Sequence, residues 1–342
     1  MSEHSEAAAT ATTQADLSKV IARYQQPSLR KAIWQLVNTF VPYIALWILM
    51  VRSVQLGMSY WITLALAVVA AGFLMRIFIM FHDCGHGSFF ASRRANRILG
   101  TICGVLTFTP YEDWRHAHAI HHATVGNLDC RGTGDVWTMT VREYKAATPR
   151  QRLAYRLFRH PLVMFGLGPA YVFLLSNRLP HKESRKKDRL SVWVADLAIA
   201  AILVVAGLTI GLRTYVLVQL PIILLAATAG VWLFFVQHQF EGVYWARNEQ
   251  WDVLRSALEG SSYYRLPKVL QWFSGNIGLH HIHHIRPRIP NYNLQQCYDE
   301  TAALQEVQSL TLGASLRSLR LRLWDEERQE LVSFRALKTA RM

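Results

Sequence analysis

The sequence predicts an all-α integral membrane protein, with four transmembrane helices in two hairpins beneath a cytoplasmic helical cap. Three observations carry that expectation. About half of the 342 residues are apolar, eleven of them tryptophan, and mean hydropathy is positive at +0.12. Four stretches, roughly 32–51, 57–80, 192–212 and 214–237, approach the run of about 20 apolar residues that crosses a bilayer. Basic residues are also segregated. About seventeen Lys and Arg fall between 82 and 190, whereas the tight turns near 52–56 and 211–214 carry only Arg52 and Arg213. The excess of cations on one side marks that side as cytoplasmic. The formal net charge of +14 is then mostly topological. That removes nucleic acid as an expected partner and suits the basic face to anionic lipid headgroups.

Residues 1–30 read as a disordered tail and an amphipathic lead-in. The tail, 1–17, is Ala/Thr/Ser-rich, without the basic start or apolar core of a signal peptide, and His4 within it is expected to be idle. Residues 31–301 form the membrane domain. Arg76, near the end of the second span, is expected to snorkel to the interface, and Asp196 lies near the start of the third. Two shorter apolar runs, 98–109 and 161–176, are not expected to cross, the second being interrupted by Gly166, Gly168 and Pro169. If only one of them crossed, residues 82–86 would be on the opposite side from His238 and 280–284. Residues 302–342 read as a cytoplasmic amphipathic segment. Leucines at helical spacing over 304–334, with Arg317, Arg320 and Arg322 before Asp325–Glu327, predict an amphipathic surface helix. Cys84, Cys103, Cys130 and Cys297 form no C-x-x-C pair, so neither a disulfide framework nor a zinc ribbon is expected.

Ten of the fourteen histidines fall in three short clusters: HDCGH (His82, His86), HAHAIHH (His118, His121, His122, with His116) and HHIHH (His280, His283, His284, with His281). Spacings of three and four residues align side chains on one helix face, and neutral imidazole is the commonest protein metal ligand. One such cluster reads as a solvated basic patch at least as readily. Three with matching spacing at one membrane face favour a shared metal site. His238, at the end of the fourth span, is placed to join them. His116 and His281 point off the ligand face and are expected to support the site. His160 and His181 lie among basic residues and are expected at the surface. Eight or nine imidazoles exceed what one metal takes. They suit two metals with open positions, and an open nitrogen-rich site suits iron that binds dioxygen. Glu-x-x-His pairs are absent near the clusters. The expectation is an all-histidine di-iron centre, with two Fe ions as cofactor and O2 as co-substrate. Candidate acceptors for the second ring nitrogens are Asp83, Glu112, Asp113, Asp129, Asp135 and Glu241.

The three boxes, together with HDCGHGSFF, VQHQFEGVYW and GNIGLHHIHHIRPRIPNYNLQQC, resemble the membrane fatty acid desaturase family of bacterial acyl-lipid type, over about residues 32–325. The resemblance implies an O2-dependent desaturase that introduces a cis double bond into an acyl chain. It also implies a multi-pass protein of the bacterial inner membrane with termini and site cytoplasmic, and it carries His238 over as a further ligand. No fused cytochrome b5 motif is present, so a separate donor, ferredoxin-like or another reductase chain, is expected. Trp61, Trp232, Phe234, Phe235 and Trp272 are candidate walls of an acyl tunnel. The same scaffold also suits a hydroxylase or a carotenoid ketolase. A non-redox metal transporter would need polar residues at mid-depth, where the spans have almost none.

Overall fold

The computed structural model describes residues 17, 19–180 and 184–339. The tail residues 1–16, with His4, and His181 lie outside the described residues. Among the described residues, four helices are long and apolar enough to span a membrane: α1 (Leu29–Gln55), α2 (Tyr60–His86), and, later in the chain, Lys186–Thr209 and Leu212–His238. They make two antiparallel hairpins joined by tight turns, as the hydropathy predicts; the first and fourth run beyond the predicted stretch at both ends, the second only at its end and the third only at its start. The protein is an integral membrane protein. Ser28 caps α1, its hydroxyl accepting from the Lys31 amide. Helix α2 stops at Gly87, whose φ of 67° is the left-handed conformation that ends helices. Pro42 and Pro221 lie inside the first and fourth spans, where neighbouring helices offset a lost backbone bond.

Helix α2 is the central column. Its buried face, including Ala67, Ala70, Leu74, Ile77, Met80 and Phe81, packs against α1 and against Val218, Ile222 and Ile223 of the fourth span. Leu197, Val204 and Leu208 of the third span remain exposed, as expected of a lipid-facing helix. Arg76 departs from expectation. It is buried, donates to Thr39 Oγ1 at 3.1 Å and to the Trp272 carbonyl, and lies 4.0 Å from the Trp272 ring centroid. A guanidinium with acceptors and an aromatic face inside the bundle has no need to reach the interface. Asp196 pairs with Arg178 at 2.6 Å.

Between the hairpins come α3 (Arg93–Leu106), α4 (Tyr111–Thr124), β1 (Met139–Thr140) and α5 (Pro149–Phe158). A π-helical turn (Val163–Leu167) then leads into α6 (Gly168–Leu174). The pair Pro149–Phe158 and Val163–Arg178 is bent by 61°. His86 ends α2, and Asp188, near the start of α7 (Lys186–Thr209), accepts from His116 of α4 at 3.0 Å. Both ends of the 87–185 segment therefore lie at the histidine end of the bundle, and the segment makes no net crossing.

Helix α8 (Leu212–His238) returns the chain to that same end. After it come β2 (Tyr263–Arg265), α9 (His280–Ile285), α10 (Asn291–Asp299) and β3 (Ser309–Thr311), then β4 (Leu323–Asp325) and β5 (Glu330–Val332). The long amphipathic helix predicted over 304–334 does not form. The segment makes short helical turns and strands, with β3 parallel to β2, and β4 parallel to β1 and antiparallel to β5. Burial decides the matter over local periodicity: Leu323 and Trp324 are buried, and Trp324 stacks on Trp245. Arg159 locks this cap. It is wholly buried and donates to Thr138 Oγ1, Gln239 Oε1 and the Leu321 carbonyl.

Candidate metal centre

Helix α2 continues out of the bundle far enough for His82 and His86 to share a face, with ring centroids 4.8 Å apart. Helix α4 supplies His118, His121 and His122, with Glu112 and Asp113 in its first turn favouring its N-terminus. The last residue of α8 is His238, and α9 supplies His280, His283 and His284. These nine imidazoles form two groups: His82, His86, His118, His122 and His283, and then His121, His238, His280 and His284. Within each group the ligand atoms lie within 4.8 Å of one another. The groups touch where the His122 and His284 rings stack at 4.2 Å.

The nitrogens fit a metal. His122 Nε2 lies 3.2 Å from His118 Nε2 and 2.9 Å from His283 Nε2. His238 Nε2 lies 3.2 Å from His121 Nε2 and 3.0 Å from His280 Nε2, which is 3.1 Å from His284 Nε2. Metal–nitrogen bonds of about 2.1 Å place adjacent ligand atoms roughly 3 Å apart, whereas converging nitrogen lone pairs without a cation repel. His86 Nε2 is buried and has no hydrogen-bond partner among the described residues. Burial, and then the neighbouring imidazoles, push His118, His122, His280, His283 and His284 well below the ordinary imidazole range. That keeps them in the neutral form that binds metal. Each group could hold a metal ion.

Of the candidate supporting residues, some meet the histidines and some do not. Asp135 Oδ1 lies 3.1 Å from His121 Nδ1. Asp83 Oδ1 lies 3.3 Å from His82 Nδ1, while its Oδ2 accepts from the Asn291 amide and side chain at 2.6 and 2.8 Å. His116 turns away to Asp188. His281 is wholly buried, beside Tyr263 and Tyr298, outside both groups, and burial pushes its imidazole down to about 4. Asp129 faces Arg247 and the Asn248 amide, Glu241 is exposed, Glu112 pairs with Arg115, and Asp113 accepts from Ser184. None of these four contacts a histidine of the two groups through these bonds. Sequence reasoning missed three contributors: Asn291, the Gly260 carbonyl 3.1 Å from His238 Nδ1, and Trp114, stacked on His118 at 4.3 Å. Trp114 is four residues before His118, so helical spacing could have found it.

An apolar cavity of about 290 Å³ reaches the centre and is lined there by His82, His118 and His280. Along α8 it extends from Gln237 to Ile223, about 21 Å at the helical rise. Leu74 and Phe78 form one wall, and Ala226, Ala227 and Gly230 leave room on the other. Of the five aromatic residues expected to wall a tunnel, only Phe234 lines it. Trp61 is 78% exposed, Trp232 and Phe235 pack on Phe165, and Trp272 packs on Arg76.

The class these features define is an integral membrane protein with a histidine-built metal centre at the mouth of an apolar cavity. The model describing fatty acid desaturases matches residues 59–312. A fatty acid desaturase of Bacillus subtilis (strain 168) is 52% identical over 325 residues, covering 95% of this chain and 92% of that one. The chloroplastic sn-2 acyl-lipid omega-3 desaturase (ferredoxin) of Arabidopsis thaliana is 29% identical over 276 residues, 74% of this chain and 58% of that one. The sn-1 acyl-lipid omega-3 desaturase (ferredoxin) of Synechocystis is 28% identical over 241 residues, 64% and 62%. The chain belongs to the fatty acid desaturase family and is a membrane oxidoreductase.

Proposed function

We propose that this enzyme uses dioxygen to introduce a cis double bond into the acyl chain of a membrane lipid, with two iron ions held by the nine histidines. The observation that carries the reading is the long apolar cavity whose inner end is lined by histidines of both groups. Acyl-lipid relatives support the substrate class. In each turnover two hydrogens leave adjacent methylenes and dioxygen becomes two waters, with two electrons and two protons supplied from outside. A separate carrier, ferredoxin-like as the names of two relatives suggest, supplies the electrons.

Iron bound there would supply the one-electron chemistry that an unactivated methylene requires, since it has neither an acidic proton nor a leaving group. The protein's own part is binding and alignment. Leu74 and Phe78 face Ala226 and Gly230 across the cavity, so an extended chain is held by apolar contact and water is kept out. Holding one pair of methylenes beside the centre is what selects it among near-identical neighbours. The Asp135 carboxylate and the Gly260 carbonyl orient His121 and His238 through their Nδ1 atoms. We place the centre and both termini on the cytoplasmic side of the bacterial inner membrane, on the strength of the cation excess in 82–190.

The test is expression in a host lacking the modification, followed by mass-spectrometric profiling of its lipids. A new double bond at one position is expected. A hydroxyl or keto product, or unchanged lipids with an active donor present, would overturn the reading.

A further inference from the structure

A further opening at the histidine end is polar, and the chemistry described so far does not use it. It is a basin of about 290 Å³ between the starts of α4 and α7. His86 and His118 lie at its floor, and Arg115, Arg185 and Lys187 lie on its rim. We infer that this basin is the docking surface for an acidic one-electron carrier, and that electrons enter through the five-histidine group. The inference rests on the redox reading of the site.

The two histidine groups differ in access. All four members of the His121 group are buried, whereas His86, His118 and His122 of the other group are partly exposed. Electron transfer between proteins weakens steeply with distance, so a carrier seated over His86 and His118 addresses the nearer group. Trp114 and His118 line both the basin and the apolar cavity, with their rings stacked at 4.3 Å and 20°. The wall between the basin and the acyl chain is this stack, so electrons and substrate approach from opposite faces.

Charge identifies the partner. The rim side chains of Arg115, Arg185 and Lys187 are about half exposed, at 48%, 48% and 55%. Glu112, which accepts from Arg115 and lies 3.9 Å from Lys187, is only 19% exposed. Arg185 is held by Asp188, whose side chain is wholly buried, so the three cations present themselves outward while the two acids that hold them, Glu112 and Asp188, lie beneath. Residues 82–190 hold seventeen Lys and Arg against eight Asp and Glu, a field that steers an acidic protein toward this face. A lipid headgroup is the weaker candidate, because Trp114 and His118 stand between the basin and the cavity that holds its chain. Two acyl-lipid relatives are named for ferredoxin, so the acidic carrier is taken to be an iron–sulfur protein giving one electron at a time. Two deliveries, with two protons from solvent, complete the reduction of dioxygen to two waters.

The experiment titrates oxidised, acidic [2Fe–2S] ferredoxin onto the full-length, iron-loaded chain in phosphatidylcholine nanodiscs. It compares the parent with Lys187→Glu, with the Arg115→Gln/Lys187→Glu pair, and with Arg255→Glu, an exposed cation outside the basin that pairs with Glu259. On the iron-loaded forms, reduction by ferredoxin is measured beside reduction by dithionite. The basin variants should weaken ferredoxin binding about tenfold at low salt, with the difference closing as salt screens it. Dithionite reduction and iron content should stay at parental values, and Arg255→Glu should bind like the parent. Ferredoxin binding within twofold of the parent overturns the inference. So does an equal loss of dithionite reduction, or a raised KM for lipid with carrier binding unchanged, which would assign the basin to a headgroup. A parent chain that makes product with another donor yet never binds ferredoxin also overturns it. Absence of product with every reductant would instead strike the desaturase reading itself.

Discussion

The two histidine groups are built from the same ring and on two shared helices, yet they are held differently. In the group of His121, His238, His280 and His284, every ring is buried, and two are fixed by protein acceptors, Asp135 and the Gly260 carbonyl. In the group of His82, His86, His118, His122 and His283, three rings are partly exposed, and only His82 meets a carboxylate, at the longer distance of 3.3 Å. His118 is held instead by the face of Trp114. One position is therefore enclosed and oriented by hydrogen bonds. The other lies between the apolar cavity and the polar basin and is oriented by packing. Both groups reach the apolar cavity, through His280 in the first and through His82 and His118 in the second, but the second also borders the polar basin, through His86 and His118.

The largest effects should come from breaking either group. His283→Ala and His238→Ala should each lower product at least about 100-fold, because in the proposed di-iron centre each would remove a ligand rather than a supporting contact. Lipid profiles of the expressing cells measure this. Next comes the orienting contact that distinguishes the enclosed group. Asp135→Asn should weaken metal binding about 10- to 100-fold, as read by competition with a chelator. Equal retention of metal would mean that the hydrogen bond does not set the difference between the groups. His281→Ala should act on the fold and not on the metal. It opens a cavity where a wholly buried ring stood, costing roughly 2 kcal/mol or more, while iron content stays parental. Thermal unfolding and metal analysis together check it. The smallest effect belongs to Asp129→Asn, whose carboxylate faces Arg247 and Asn248. Product and iron should both remain within about twofold of the parent, as expected for a surface pair.

Much of this site is legible in the sequence because a helix converts spacing into direction. His118, His121 and His122, and again His280, His283 and His284, face inward by the i, i+3, i+4 rule, and the same rule turns His116 and His281 away. The four spans are legible because a bilayer demands a long apolar run. What stays hidden depends on loops and on backbone. Asp129 and Asp135 are six residues apart in one irregular segment, and nothing local tells which will meet His121. The Gly260 carbonyl carries no side-chain signature at all. The cavity is bounded on one side by Ala226, Ala227 and Gly230, and a reading that looked for aromatic walls passed over small residues. The C-terminal leucines follow a helical period, but pairing with β1 and burial of Trp324 against Trp245 favoured strands. Arg76 was read from its position near a membrane edge, whereas its partners Thr39 and Trp272 come from distant parts of the chain.

Two separate irons held by nine histidines is the reading on which the proposed chemistry depends. The most direct measurement is the number of iron atoms per chain, by elemental analysis of purified parent, His283→Ala and His238→Ala. Two are expected in the parent and about one in each variant. A single metal in the parent, or zinc in place of iron, or the same stoichiometry in all three proteins, would contradict it.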